Sequence, residues 1–192
     1  MIRKREWHTE RLVIRAFRDE DLPGLYELHS DPEATKYLGG VWTFEGTRQV
    51  LSRIIGNYST RHLEWYAVAD RKTGEFLGVC WLGPLSARMC EALGSGPHIE
   101  LGYRFVRRHW GRGYATEAAA EMLRRGFVEL CLDEVVSIVA PDNPASKRVL
   151  TKIGMRLQRT FYRDTDSIEL HALRRDEYLV GPASPGGADL AR

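Results

Sequence analysis

The chain has 192 residues and a formal net charge of +2, with 43% hydrophobic and 28% charged residues. This length predicts one domain with a full hydrophobic core, and the balance of apolar and charged residues indicates a globular protein rather than a disordered one. A net charge so near zero provides no overall basic field for nucleic acid, and no apolar run reaches membrane-spanning length. With three scattered cysteines and no signal-peptide pattern, we expect a cytoplasmic protein that binds neither nucleic acid nor membrane.

Apolar periodicity and turn residues predict the elements of the chain in order. They are a strand at 12–17, a helix from Asp19 or Asp21 to about Ser30, a helix from about Thr47 to Tyr58, a hairpin of strands at 65–69 and 76–82, a glycine-rich loop at 83–97, a strand at 99–106, a helix from Gly113 to Leu130, a strand at 135–139, a short helix after Asn143, and strands near 155–162 and 166–172. This order predicts an α+β fold with a mixed sheet. We predict one domain over residues 1–180 and a flexible tail at 181–192, where Gly, Pro, Ala and Ser dominate.

The most informative stretch is residues 108–116, Arg-His-Trp-Gly-Arg-Gly-Tyr-Ala-Thr, between a predicted strand and a long helix. Two glycines permit a tight turn and close backbone approach to a ligand, and a helix N-terminus offers free N–H groups and a positive dipole end. With three nearby arginines, the stretch predicts an anionic ligand, and a diphosphate rather than a carboxylate. It is not a P-loop, which requires Gly-Lys-Ser/Thr, nor a dinucleotide fingerprint, because Thr116 stands where the third glycine belongs. Taken alone, the glycines equally fit a simple strand-to-helix turn.

A second motif, residues 141–155, has the local signals of a complete short helix. Asn143 is a natural N-cap, Pro144 fits the first helical position, and Gly154 fits the C-terminal stop. Asn143 either caps this helix alone or caps it and also binds a ligand.

Together the two motifs resemble those of the GNAT superfamily of acetyl-CoA-dependent N-acetyltransferases, and most of all its branch of ribosomal-protein N-terminal acetyltransferases. The resemblance rests on Trp110–Ala118 and Asn143–Gly154 in order and spacing, supported by Thr9–Arg15 and Asp19–Asp21, and it covers residues 9–179. Departures include Arg107 where a proline is frequent and Met155 where a phenylalanine is usual. The resemblance implies the GNAT fold, with about seven strands, flanking helices and a V-shaped splay between the fourth and fifth strands.

The resemblance also implies acetyl-CoA as co-substrate, without a metal, and assigns roles to residues of this chain. Backbone groups of 103–106 would pair with the pantetheine arm, amides of 111–116 would bind the pyrophosphate, Asn143 would bond the pantetheine, and Ser146 would donate to the leaving thiolate. The cofactor-binding candidates are Tyr103, Phe105, Val106, Arg108, Trp110, Gly111, Arg112, Gly113, Tyr114, Ala115, Thr116, Asn143 and Ser146. Lys147, Arg148 and Lys152 either meet the adenosine phosphates or form a solvated helix face.

The catalytic candidates are Glu100 as general base and Ser146 as the group that assists the thiolate. Other possible bases are Asp164, Asp166 and Glu169, whereas His98 and His109 are more typical of structural histidines. No Ser-His-Asp set or acyl-cysteine arrangement is evident, so we expect direct attack of the amine on the thioester in a ternary complex. The expected acceptor is a protein or peptide N-terminal amine. Acetylation of a small amine, or a non-catalytic acyl-CoA sensor, is the alternative, and the chain is expected to be a monomer or homodimer.

Overall fold

The structure is a computed structural model that describes residues 6–37, 39–58 and 65–180. Its strands are β1 (Glu6–His8), β2 (Leu12–Arg15), β3 (Trp65–Asp70), β4 (Phe76–Pro84), β5 (Ile99–Phe105), β6 (Glu134–Val139), β7 (Arg156–Arg163) and β8 (Asp166–Arg174). Its α-helices are α1 (Leu22–Ser30), α2 (Pro32–Thr35), α3 (Phe44–Asn57), α4 (Ala87–Leu93), α5 (Tyr114–Arg124), α6 (Pro144–Lys152) and α7 (Arg175–Val180). The strands form a mixed sheet in the order β1-β2-β3-β4-β5-β6-β8-β7.

The chain divides into two compact units, residues 1–81 with 103–118 and residues 82–102 with 119–192. In the first unit, β1 to β4 pair antiparallel in chain order. Strand β2 alternates buried and half-buried side chains, with Leu12 and Ile14 fully buried, as expected for a strand with one face in the core. Helices α1 and α3 bury Leu28 and Leu51 in a hydrophobic cluster that also contains Ala67 and Val79.

In the second unit, β8 pairs antiparallel with both β6 and β7, and β6 runs parallel to β5. The parallel register joins Glu100 to Val136. One residue further along each strand, the Ser137 hydroxyl donates to the Leu101 carbonyl at 2.7 Å, so a side chain satisfies that backbone acceptor. The splay predicted between the strands at 99–106 and 135–139, which are β5 and β6, stays a prediction.

The largest departure from the sequence-based prediction is α4. Residues 83–97 were expected to form a loop because of their glycines, but Ala87–Leu93 is a helix. Ser86 caps it by accepting the Met89 amide at 3.3 Å, and Gly94 ends it in the left-handed conformation. The helix forms because Met89 and Leu93 bury against the core of the second unit.

Three smaller corrections concern element number and ends. The sheet has eight strands rather than about seven, because Glu6–His8 adds an edge strand to β2. The helix expected from Gly113 to Leu130 is α-helical only to Arg124 and continues as a π-helical turn, Arg125–Glu129. Helix α3 begins three residues before the expected start, after the N-cap Thr43.

The remaining predicted strands and helices are present with ends shifted by a few residues. The prediction of one domain over residues 1–180 stays a prediction, and the expected flexible tail at 181–192 lies outside the described residues. Within the described part of the chain, no helix is both long and apolar enough to cross a membrane.

Candidate active site

The loop between β5 and α5 has the backbone geometry that its glycines predict. Gly111 and Gly113 adopt left-handed conformations, with φ of 75° and 81°. The first helical bond runs from the Glu117 amide to the Gly113 carbonyl at 3.1 Å, so the amides of residues 114–116 have no acceptor within the helix. A Cβ added at Gly111 would meet no atom within 4 Å, which leaves open space beside this backbone. Such a loop fits a pyrophosphate.

Arg11, in the turn before β2, holds this loop to the start of α5. Its Nη1 donates to the Arg112 carbonyl at 2.9 Å, its Nε donates to Glu117 at 2.7 Å, and its guanidinium lies 4.8 Å from the centre of the Tyr114 ring. The Arg11 backbone amide and the Thr9 hydroxyl also donate to Glu117, at 2.8 and 2.5 Å. We call Arg11, Thr9 and Glu117 the loop clamp.

The carboxylate of the loop clamp is held in its charged form. Partial burial by itself would raise the pKa of Glu117, but the hydrogen bonds from Thr9 and Arg11 outweigh it and hold the pKa below its ordinary value of 4.5. Glu117 also occupies the first turn of α5, where the helix dipole favours a negative charge.

The three arginines of the loop differ in their ion-pair partners. Arg108 is paired with Glu27 and, at 3.0 Å, with Glu75, and Arg107 lies 3.5 Å from Asp31. Among the described residues, no carboxylate lies within ion-pair distance of the exposed guanidinium of Arg112. Arg112 is therefore the arginine of this group best placed to meet an anionic ligand. Arg108 has a structural role in these ion pairs, and its predicted cofactor contact stays a prediction.

Some backbone groups at the end of β5 already form hydrogen bonds within the protein. The Val106 amide donates to the Leu77 carbonyl at 3.0 Å, and the Trp110 indole donates to the Phe105 carbonyl at 2.6 Å. Phe105 and Val106 are buried, whereas Tyr103 is half-buried. These two bonds engage groups that the sequence assigned to the pantetheine arm.

Asn143 caps α6 in the predicted way, and the atom it uses matters. Its Oδ1 accepts the Ser146 amide at 3.1 Å, so the cap engages the side-chain oxygen. Capping therefore leaves the amide nitrogen of Asn143, which is a donor, available for a ligand. Ser146 is half-buried on the first turn of the same helix.

The four candidate bases lie in different surroundings. Glu169 is held by Lys147 at 3.2 Å and by His171 at 3.1 Å; burial would raise its pKa, but these bonds lower it. Asp166 lies 3.2 Å from Arg163. Asp164 is paired with Arg88. A carboxylate paired with a cation is a weaker base, which counts against these three residues. Glu100 is half-buried on β5.

The two histidines near the site have structural surroundings. His109 is buried beneath the loop; burial lowers its pKa although Nε2 lies 3.3 Å from Glu75. His98 lies 3.1 Å from the Ser95 hydroxyl and 3.8 Å from Glu134.

The structure collects Tyr103 to Thr116 and the loop clamp in the first unit, and places Glu100, Asn143 and Ser146 in the second. Sequence reasoning did not assign a function to Arg11 or Glu117. The Thr-Glu-Arg-Leu run and the Glu117 position were visible within the matching motifs, but their contact joins residues more than 100 positions apart.

Comparison with known proteins identifies the family. A family model described as "Acetyltransferase (GNAT) domain" matches residues 11–156. The uncharacterized protein YkkB of Bacillus subtilis is 35% identical over 158 residues, which cover 79% of this chain and 86% of that protein. The FsC-acetyl coenzyme A-N(2)-transacetylase of Aspergillus fumigatus is 31% identical over 165 residues, which cover 83% of this chain and 68% of that protein.

Solved structures share the fold. A GNAT-family acetyltransferase from Bacillus anthracis has a TM-score of 0.77 and 27% identity, and covers 90% of this chain and 99% of its own. The ribosomal alpha-N-protein acetyltransferase RimL, in complex with coenzyme A, has a TM-score of 0.67 and 17% identity, covers 86% of this chain and 95% of its own, and shows the fold alone. The chain therefore belongs to the GNAT family of acetyltransferases and has the GNAT fold.

Proposed function

We propose that this enzyme transfers the acetyl group of acetyl-CoA to the N-terminal amine of a protein or peptide, by direct attack in a ternary complex. The observation that carries acetyl-CoA binding is the β5–α5 loop, with two left-handed glycines, open space beside Gly111 and a helix N-terminus held in place by the loop clamp. This loop presents backbone donors to an anion without needing a metal.

Individual residues then have separate roles in the proposal. The backbone of residues 111–116 binds the pyrophosphate, the Arg112 guanidinium adds positive charge, and the amide nitrogen of Asn143 donates to the pantetheine. Because the Val106 amide and the Phe105 carbonyl are already bonded, the pantetheine contacts proposed for 103–106 fall on the rest of that segment.

The proposed chemistry requires one proton acceptor and one donor. The amine nitrogen bonds to the thioester carbonyl carbon, the C–S bond breaks, and the Glu100 carboxylate takes the amine proton directly or through water. The Ser146 hydroxyl donates to the departing thiolate. An α-amine needs less help from a general base than a lysine amine does, because its ordinary pKa of about 8 leaves a fair fraction neutral at pH 7.

The acceptor is where a second candidate has support. RimL is named as acting on a protein α-amine, but its 17% identity makes it a distant neighbour. The transacetylase that is 31% identical has a name that gives FsC and N(2) and mentions no protein α-amine. Acetylation of a small-molecule amine stays the alternative to a peptide acceptor.

One experiment separates these possibilities. Release of free thiol from acetyl-CoA is measured with a panel of peptide N-termini, free amino acids, polyamines and other small amines. The proposal expects the highest kcat/KM for a peptide α-amine. A small amine that is turned over far faster than every peptide supports the alternative, and calorimetric binding of CoA without turnover of any amine indicates an acyl-CoA sensor.

A further inference from the structure

Arg104, near the end of β5, is a half-buried cation without an ion-pair partner among the described residues. Its Nη1 atom is buried and has no hydrogen-bond partner among the described residues. Its guanidinium lies 6.0 Å from the centre of the Trp65 ring, a loose cation–π distance. Burial alone lowers the pKa of Arg104 to about 10, and no described carboxylate offsets it, so the side chain remains charged at neutral pH.

A stacked pair of indoles in the first unit includes the ring that lies nearest this cation. Trp65 stacks on Trp81 with the ring centres 4.3 Å apart and the planes 9° from parallel. His29, whose ring lies 4.5 Å from that of Trp42, is also affected: burial and then the charge of Arg104 lower the pKa of His29 to about 4. His29 is therefore neutral at pH 7 and adds no second positive charge near Arg104.

An unpaired buried charge is costly to a fold, and hydrophobic replacements of similar volume are often more stable. The folded chain therefore gains nothing evident from Arg104, whereas a ligand carboxylate would gain a charge-assisted, bidentate partner in surroundings of low polarity. The position of Arg104 in segment 103–106 puts a cation that no described carboxylate pairs with where the proposed function has the pantetheine arm arrive.

We infer that Arg104 binds a carboxylate of the amine acceptor, so that the substrates of this enzyme are amines that carry a carboxylate. This inference rests on the proposed acetyl transfer and narrows its acceptor. Two sources offer the same chemistry: the α-carboxylate of a free amino acid, and the acidic side chain of a peptide that begins with Asp or Glu.

The test compares acceptors that differ only in the carboxylate. One pair is a free amino acid and its carboxamide, and the other is two peptides identical except for Asp or Asn at the first position. Rates are expressed per concentration of neutral amine, because the carboxamide has a more acidic amine. In one of the two pairs, we expect the member with the carboxylate to have a kcat/KM about 10- to 100-fold higher than its partner. This is the range for a hydrogen bond to a charged group. The pair that shows the difference identifies the source of the carboxylate.

Variants then assign the preference to Arg104. Arg104→Met keeps the length of the side chain without its charge and should abolish the preference through a higher acceptor KM, while the KM for acetyl-CoA stays within about twofold. Arg104→Lys should restore part of the preference for the carboxylate. Arg53→Met, at an exposed position of α3, is the matched control and should leave both KM values unchanged.

Equal kcat/KM within both pairs for the unaltered enzyme would overturn the inference without any variant. An equal loss of acetyl-CoA and acceptor affinity in Arg104→Met would also overturn it, because Arg104 would then serve the cofactor. If no amine is turned over, acetyl transfer itself has failed. Calorimetric titration of the same pairs into the CoA complex then decides carboxylate binding separately.

Discussion

Three of the four candidate bases are weakened as proton acceptors by neighbouring cations. Asp164, Asp166 and Glu169 each lie against a cation, Arg88, Arg163 and Lys147, and a carboxylate stabilised as an anion accepts a proton less readily. The sequence analysis made Glu100 the first candidate and these three the alternatives. The ion pairs of the folded chain count against the alternatives, and the role of Glu100 stays a prediction.

Replacing Glu100 by glutamine tests its assignment as base. We expect kcat to fall by about 10²-fold or more at pH 7, and the deficit to shrink as the pH rises towards the pKa of the amine, because more of the acceptor is then neutral. CoA affinity measured by calorimetry should not change. A nearly unaltered rate at pH 7 would remove Glu100 from the mechanism and leave Asp164, Asp166, Glu169 or bulk water as the base.

Gly113 combines a left-handed backbone with the predicted pyrophosphate contact. Valine at this position adopts a φ of 81° only with strain, and its Cβ would lie 3.3 Å from Arg11 Nη2. We expect Gly113→Val to remain folded but to bind CoA at least tenfold more weakly, as measured by calorimetry.

A matched control separates backbone strain from ligand contact. Gly74, in the β3–β4 turn, has a φ of 76° and open space around its Cβ position. Gly74→Ala should lose about 1 kcal/mol of stability through the same kind of strain and keep its CoA affinity. Equal CoA binding by the Gly113 and Gly74 variants would mean that the loop does not approach the ligand.

At the scale of elements, helix α6 depends on Asn143 for its cap and, in our proposal, for a ligand contact. Asn143→Ala should cost about 0.5–2 kcal/mol of stability and should also weaken CoA binding. Asn143→Ser keeps an oxygen that caps but loses the amide donor, so stability should be nearly restored while CoA affinity stays low. Thermal unfolding and calorimetry measure the two effects. Full CoA affinity in the serine variant would make Asn143 a cap alone.

The loop clamp joins the turn before β2 to the start of α5. Glu117→Gln removes the carboxylate that receives Arg11 and Thr9. We expect it to lower the free energy of unfolding by about 1–3 kcal/mol at pH 7 and to weaken CoA binding, because Arg11 also holds the Arg112 carbonyl.

The pH dependence of this loss has a definite sign. The folded-state pKa of Glu117 is lower than its ordinary 4.5, so its stabilisation is present above that pH and disappears as the pH falls through the folded-state value. The difference in the free energy of unfolding between the glutamine variant and the unaltered protein should therefore disappear in acid, as followed by denaturant unfolding.

The matched control is Glu121→Gln, one turn along α5, which breaks a pair with Arg124 instead and should leave CoA binding intact. A CoA affinity lowered equally by both changes would contradict a special role for the clamp.

For the whole molecule, ligand binding and stability are linked. A ligand that binds only the folded chain stabilises it by about 2.7 kcal/mol at 100 times its dissociation constant. For a chain of this size, that corresponds to a rise in Tm of about 5–10 °C. We expect this rise with CoA, together with calorimetric binding of one CoA per chain. No shift and no binding at submillimolar CoA would contradict acetyl-CoA as the co-substrate.

The family and the fold class were predictable because they depend on local patterns. Gly111 and Gly113 indicate a left-handed turn from composition alone, and the Asn143-Pro144 pair with Gly154 contains both ends of α6 within a dozen residues. Strand and helix periodicity located most elements, because alternation and the 3.6-residue repeat are set by the chain itself. The sequence analysis did not predict helix α4, because the glycines of residues 83–97 suggested a loop. Burial of Met89 and Leu93 stabilises the helix instead.

What only the tertiary structure decided depends on contacts between distant residues. The sequence contains Arg11 and Glu117, but only folding brings them together across more than 100 positions to hold the loop. Likewise, composition shows 28 basic residues but not which lack a partner; the fold pairs Arg108 with two carboxylates and leaves the Arg104 Nη1 buried without one among the described residues. A residue's type is local information, whereas its burial and its charge partners arise from packing, and these determine pKa, basicity and the capacity to bind.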